Sequence, residues 1–209
     1  MGRKDGLLWP PLIRHTWLFA LLAGCSLGPS YIVKDFTPPE TLAVLPFTNE
    51  TNDIEAPDLV RKFLIEILPQ HGYAFSNSET TDSILKEKFG ITDGGQLGVA
   101  TPQELGAALS ADGLLYGNIL SFQDLPLGFV RKRTVKIYLK IVDSKTGTLL
   151  WEDQKGWNNP EFHLDSDGSG RALAEQVFDR QKRRLKGTFL REETLIALER
   201  ALKSLPSAR

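Results

Sequence analysis

Thr41-Leu-Ala-Val-Leu-Pro-Phe47 is a nearly continuous apolar run of strand length. A strand with one wet face alternates apolar and polar residues, whereas a strand covered on both faces has no reason to. The run therefore reads as a central strand with layers packed on either side. Pro46 falls at its end, where a missing ladder donor matters least. Polar Asn49-Glu-Thr-Asn-Asp53 follows as a loop at the strand's carboxyl end.

Outward from that strand the chain alternates helix and strand. Pro57, which has no amide hydrogen to leave unpaired, opens a helix. Leu59, Val60, Phe63, Leu64, Ile67 and Leu68 fall at helical spacing along it, and Gly72 ends it. Tyr73-Ala-Phe75 reads as a short strand. Thr80 or Thr81 caps a second helix through Ile84, Leu85 and Phe89, closed by Gly90. Thr101-Pro-Gln-Glu104 is a capping box opening a short helix through Leu105, Ala108 and Leu109. Gly113 to Phe122 reads as another central strand, and Gln123 to Val130 as an apolar connector. Residues 134–143 alternate, with Val135, Ile137, Leu139 and Ile141 on one face and Lys136, Tyr138 and Lys140 on the other. That is a half-exposed antiparallel strand, read as an edge on which a partner's strand can pair. Asp143 to Gly147 turns the chain into Leu149-Leu-Trp-Glu-Asp153, and helices over about 169–186 and 190–204 complete it. The fold class is α/β (α+β): a mixed sheet of about five strands with helices packed on it and a C-terminal helical pair.

Upstream, Arg3, Lys4 and Arg14 precede an apolar segment, Trp17 to Ala23, too short to span a bilayer. A basic leader, a short apolar run and small residues describe an export signal. Leu22-Ala23-Gly24-Cys25 resembles the lipobox of bacterial lipoproteins, and Cys25 is the only cysteine. The resemblance implies a diacylglycerol thioether on Cys25, cleavage after Gly24 and acylation of the new amino group. Two or more chains anchor a protein stably where one does not. Ser26, not Asp, follows the cysteine, which by the same resemblance directs the protein to the outer membrane, facing the periplasm. The domain reading is a signal peptide over 1–24, a lipid-anchored tether over 25–40 and one periplasmic domain over 41–205. Of 25 Lys/Arg and 26 Asp/Glu, three and one fall in residues 1–24, so the remainder is slightly acidic. Nothing in that balance suggests a nucleic-acid partner. With Cys25 acylated no thiol is left for a disulfide, and the fold must stand on its hydrophobic core.

Candidate chemistry is sparse. Asp165, Asp167, Ser169 and Gly170 match positions 1, 3, 5 and 6 of a calcium loop, but position 12 is Gln176, with Glu175 one step early. An acidic turn capping a helix explains the same letters. Gly94, Gly95 and Gly98 lack the Lys-Ser/Thr of a phosphate loop and the spacing of a dinucleotide site. His71 and His163 stand outside any nucleophile elbow or zinc-binding helix pattern. No cofactor and no enzyme activity is implied.

Thr41-Leu-Ala-Val-Leu-Pro-Phe-Thr-Asn49 and Ala111-Asp-Gly-Leu-Leu-Tyr-Gly-Asn-Ile119 resemble strand entries of the TolB amino-terminal domain and the curli-secretion lipoprotein CsgG. Residues 40–155 look like a group of lipoproteins related to CsgG. The resemblance implies a TolB amino-terminal-like domain that assembles with other envelope lipoproteins or outer-membrane proteins, and with copies of itself. The connector Gln123–Arg133 is too short for membrane-spanning hairpins, so a pore does not follow. The candidate contact residues are Leu125, Leu127, Phe129 and Val130, an apolar group rimmed by Arg131, Lys132 and Arg133. A basic helix end, Arg180 to Lys186, is a second candidate for anionic lipid or an acidic partner. The reading is a non-enzymatic, outer-membrane-anchored subunit of an export-related envelope assembly. The alternative is a periplasmic lipoprotein that holds a small apolar ligand between sheet and helices.

Overall fold

A computed structural model describes residues 29–126, 130–162 and 169–208. Among these residues seven strands form one mixed sheet: β1 (Ser30–Ile32), β2 (Thr41–Val44), β3 (Thr48–Asn49), β4 (Ala74–Phe75), β5 (Gly113–Pro126), β6 (Val130–Asp143) and β7 (Leu149–Phe162). The order across it is β1-β7-β6-β5-β2-β4, with β3 also on β5. Strands β2 and β4 pair parallel, as do β2 and β3 with β5. The β5–β6–β7 meander and β1 pair antiparallel. Five α-helices accompany them: α1 (Ala56–Ile67), α2 (Ser78–Phe89), α3 (Pro102–Leu109), α4 (Ser169–Leu185) and α5 (Arg191–Leu202).

The apolar run from Thr41 is buried on both faces, as its pattern requires. Leu42 and Val44 join the larger core, with Val60, Phe63 and Leu64 of α1 and Ala197, Leu198 and Leu202 of α5. Ala43 and Leu45 turn the other way, to Leu85 of α2 and Leu105 and Leu109 of α3. Pro46 interrupts the ladder, and pairing resumes at Thr48 opposite Asn118. Phe47 lies so close over Gly117 that a Cβ there would meet the ring at 2.6 Å. The larger core continues along β6 through Val135, Ile137, Leu139 and Ile141 to Trp151 of β7.

Local signals placed most helix ends. Thr101 Oγ1 accepts from the Glu104 amide while the Glu104 carboxylate accepts from the Thr101 amide. Gly90 closes α2 in the left-handed conformation, φ 71°. The start of α2 differs from the reading at Thr80 or Thr81. Asn77 is the cap, its side chain accepting from the amides of Glu79 and Thr80, which releases both threonines into the helix.

Three further expectations are corrected. Among the described residues the strand count is seven rather than about five, because β1 and β3 are too short to leave a periodic signature. Residues 123–130 are no connector: β5 runs to Pro126 and β6 starts at Val130, one long hairpin. Strand β6 is no edge either, since β5 and β7 pair with its two sides. The sheet's edges are β1, contributed by the segment read as a tether, and β4.

Candidate docking surface

The two faces of the sheet are finished differently. Helices α1 and α5 cover one face, and α2 and α3 cover the other only over β2 and β5. Over β6, β7 and β1 no helix among the described residues lies on that second face. Alternation along β6 brings Lys132, Thr134, Lys136, Tyr138 and Lys140 to it. Register then sets Tyr116, Lys140, Glu152 and Tyr31 in one row across four strands, and Asn118, Tyr138 and Gln154 in the next. The Lys140 ammonium stands 5.0 Å from the centre of the Tyr116 ring. The Tyr138 hydroxyl donates to the Glu152 carboxylate. Partial burial, and then that carboxylate, push the Tyr138 phenol above its ordinary value. The result is a flat, half-exposed surface of tyrosines and alternating charges. Beside it, Tyr31 and Ile32 of the edge strand β1 are exposed.

The anticipated contact residues divide on this frame. Leu125 is exposed and pairs with Lys132, which points outward on the bare face. Val130 is half-buried. Leu127 and Phe129 lie outside the described residues, as do Leu22, Ala23, Gly24 and Cys25. Arg131 and Arg133 do not rim a patch. Both are buried on the other face, where β6 alternation places them with Val135. Arg131 forms a two-point pair with Asp124 at 2.8 and 2.6 Å and reaches Asp179 at 3.5 Å. The Asp124 hydrogen bond raises the guanidinium's pKa further. Arg133 pairs with Glu193 of α5.

An open cleft of about 380 Å³ lies at the carboxyl ends of β2, β3 and β5, between the 51–55 loop, Phe122–Leu125 and Arg180 and Arg184 of α4. Such ends are where open α/β sheets commonly bind ligands. Arg184 spans it, pairing with Asp53 and Glu55 while its guanidinium stacks 4.1 Å above Phe189. The hydrogen bond that Arg184 donates to Asp53 raises the guanidinium's pKa. Burial disfavours the charged Asp179 carboxylate, yet Arg183 and Arg131 hold its pKa below the usual carboxylate range. The cleft is thus laced with internal ion pairs. The basic helix end is only partly free, since Arg183 and Arg184 are engaged in these pairs.

Asp165, Asp167 and His163 lie outside the described residues, while Ser169 and Gly170 begin α4, Gln176 is buried and Glu175 is exposed. Among the described residues no three His, Cys, Asp or Glu side chains are grouped to hold a metal. No described helix is long and apolar enough to cross a membrane. His71 ends a 3₁₀ turn, and its carbonyl accepts from the Ala208 amide. Residues 94–99 form a 3₁₀ turn between α2 and α3. Sequence reading missed one exposed feature, the apolar stripe of α4 (Leu173, Val177, Phe178, Leu185). Its spacing was visible in the sequence, although the body's ionic grip on the helix was not.

No curated protein matches the chain. Among solved structures, the lipoprotein GNA1162 from Neisseria meningitidis superposes with a TM-score of 0.55 at 19% identity, over 71% of this chain and 99% of that one. That likeness shows the fold. A PelC dodecamer from Paraburkholderia phytofirmans gives a TM-score of 0.47 at 10% identity, over 81% and 89% of the two chains. The LpoB C-terminal domain from Salmonella enterica gives 0.43 at 16%, over 59% and 86%. None of this shows the relation to CsgG or TolB anticipated from residues 41–49 and 111–119, and no enzymatic family is indicated. A family model described as "Putative lipoprotein GNA1162-like" matches residues 32–181. With that match covering well over half of its length, the chain belongs to the GNA1162-like lipoprotein family.

Proposed function

We propose that this is an outer-membrane-anchored periplasmic lipoprotein that acts as a non-enzymatic docking subunit of an export-related envelope assembly. Residues 1–24 are its leader, Cys25 carries the lipid, and one domain from residue 41 onward presents the contact surface. The short segment before it serves as tether and, at Ser30–Ile32, as edge strand. Kinship with CsgG and the TolB amino-terminal domain belongs to the same proposal, on the strength of residues 41–49 and 111–119. Other envelope lipoproteins, outer-membrane proteins or further copies of the chain are the partners.

The observation that carries the reading is the bare sheet face. A surface of β6 and β7 that shows Lys132, Lys136, Tyr138, Lys140 and Glu152 beside the edge strand β1 is suited to a flat protein partner. Tyrosine enrichment and complementary charge are features of such interfaces. The alternative, a small apolar ligand, finds less support. The cleft at the strand ends is open and lined by Asp53, Glu55, Asp124, Arg180 and Arg184, whereas ligand pockets are mostly apolar.

A photo-crosslinking amino acid at Lys140 in the full-length protein in intact cells tests the proposal. One discrete set of adducts is expected from position 140, and none from the exposed control position Lys88 on α2. Equal, diffuse labelling from both positions would contradict the assignment of the face.

A further inference from the structure

Helix α4 is mounted inside out. A surface helix ordinarily turns its apolar stripe to the core and its charges to water. Here Leu173, Val177, Phe178 and Leu185 are 40%, 50%, 74% and 81% exposed. At 100° per residue they fall within one arc of about 140°. Polar contacts nevertheless hold the helix to the body: Gln176 is buried, Asp179 pairs with Arg131, and Arg184, which falls in the same arc as the apolar residues, turns back to pair with Asp53 and Glu55. Exposed Arg171, Lys182 and Lys186 continue the helix surface beyond the stripe, beside the acids Glu175, exposed, and Asp179, partly exposed.

The position of the chain's start says what this stripe faces. Ser30 pairs with Asp153 and Ile32 with Trp151, so the chain traced backwards through β1 runs along β7 towards Phe162. The Pro29 carbonyl extends the pairing by accepting from the Gln154 amide. That direction leads to the end of the sheet holding the β5–β6 hairpin tip, where Arg131 meets Asp179 of α4. Only residues 26–29 separate Cys25 from Ser30, a reach of at most about 18 Å when extended. A lipid on Cys25 therefore tethers the domain within about 18 Å of Ser30, on the side of the sheet that leads towards this end.

We propose that α4 rests on the membrane surface, with Leu173, Val177, Phe178 and Leu185 in the boundary between headgroups and acyl chains. Arg171, Lys182 and Lys186 face anionic headgroups. This inference rests on the lipid anchor at Cys25 in the function proposed above. An amphipathic helix with a basic polar face binds a bilayer in this way. A second copy fits the stripe less well, because pairing two such helices would bring their basic flanks together.

The test uses the mature, acylated protein carrying Phe178→Trp, bound to vesicles of phosphatidylethanolamine and phosphatidylglycerol with or without brominated acyl chains. Its reference is Tyr138→Trp, on the bare sheet face. Flotation with the vesicles is expected, together with a blue-shifted emission from position 178. Bromine should quench that emission about two-fold or more, consistent with insertion of about 5–10 Å, and leave the tryptophan at 138 unquenched. Flotation with no more quenching at 178 than at 138 overturns the inference and leaves the anchor standing. Failure to float overturns the anchor reading, and the inference with it.

Discussion

Asp124→Ala is expected to destabilise the domain by about 3–5 kcal/mol, the range for removing one partner of a buried ion pair. The cause is the arginine left behind. The Arg131 side chain is 7% exposed, and Asp124 at 2% supplies both of its short hydrogen bonds. Its other acidic neighbour, Asp179, is 3.5 Å away and 43% exposed, too wet and too distant to take over. Replacing both members with apolar residues of similar size leaves nothing unpaired. Asp124→Leu combined with Arg131→Met should therefore recover most of the loss. Urea unfolding of the wild type, the single and the double variant measures this directly. A single variant within about 0.5 kcal/mol of wild type, the size of an ordinary surface change, would show that the pair is not buried. Because Arg131 also reaches Asp179, Asp124→Ala should loosen α4 before the rest of the domain unfolds, visible as early hydrogen exchange in 169–185.

Trp151→Ala should cost a similar amount, about 3–5 kcal/mol, for a different reason: a cavity. Trp151 is wholly buried between the sheet and α5, among Ile141, Leu198 and Leu202. Its Nε1 donates to Ser204 Oγ at 3.1 Å, and that hydroxyl donates to the buried Asp153 carboxylate at 2.6 Å. The indole thus fills the core and secures a polar chain at the C-terminal end of α5. Tyr138, a similarly large side chain on the opposite face of β6, touches no second layer. Tyr138→Ala should cost about 1 kcal/mol, the centre of the range for ordinary substitutions. The contrast separates a covered face from a bare one: equal costs would mean that something packs on both.

Much of this layering is legible in the residues. Thr41 to Phe47 has no polar face, and the strand is buried on both sides. Residues 134–143 alternate, and their charged half lies on the bare face. Alternation reports which way a side chain points but not which strand lies alongside. For that reason β6 reads as an edge in the sequence, although β7 pairs along its whole length. Arg131 and Arg133 were read by charge, as a rim. Carrying the alternation of Val135 and Ile137 back two and four residues would have placed both on the core side, where only a buried acid makes an arginine tolerable. Those acids, Asp124 and Glu193, lie 7 and 60 residues away in the chain, and nothing in local sequence pairs them. The same applies to α4. Its apolar spacing was available, but its outward direction depends on Asp53, Glu55 and Arg131, all brought to it by the tertiary fold.

The anchor is the premise on which both the docking subunit and the membrane-lying helix depend. Mass spectrometry of the protein extracted from cell membranes tests it at a single residue. The mature chain is predicted to begin at Cys25 with a diacylglyceryl group on its sulfur and an acyl chain on its amino group. Recovery of residues 1–24 still attached, or of Cys25 with a free thiol, would contradict it.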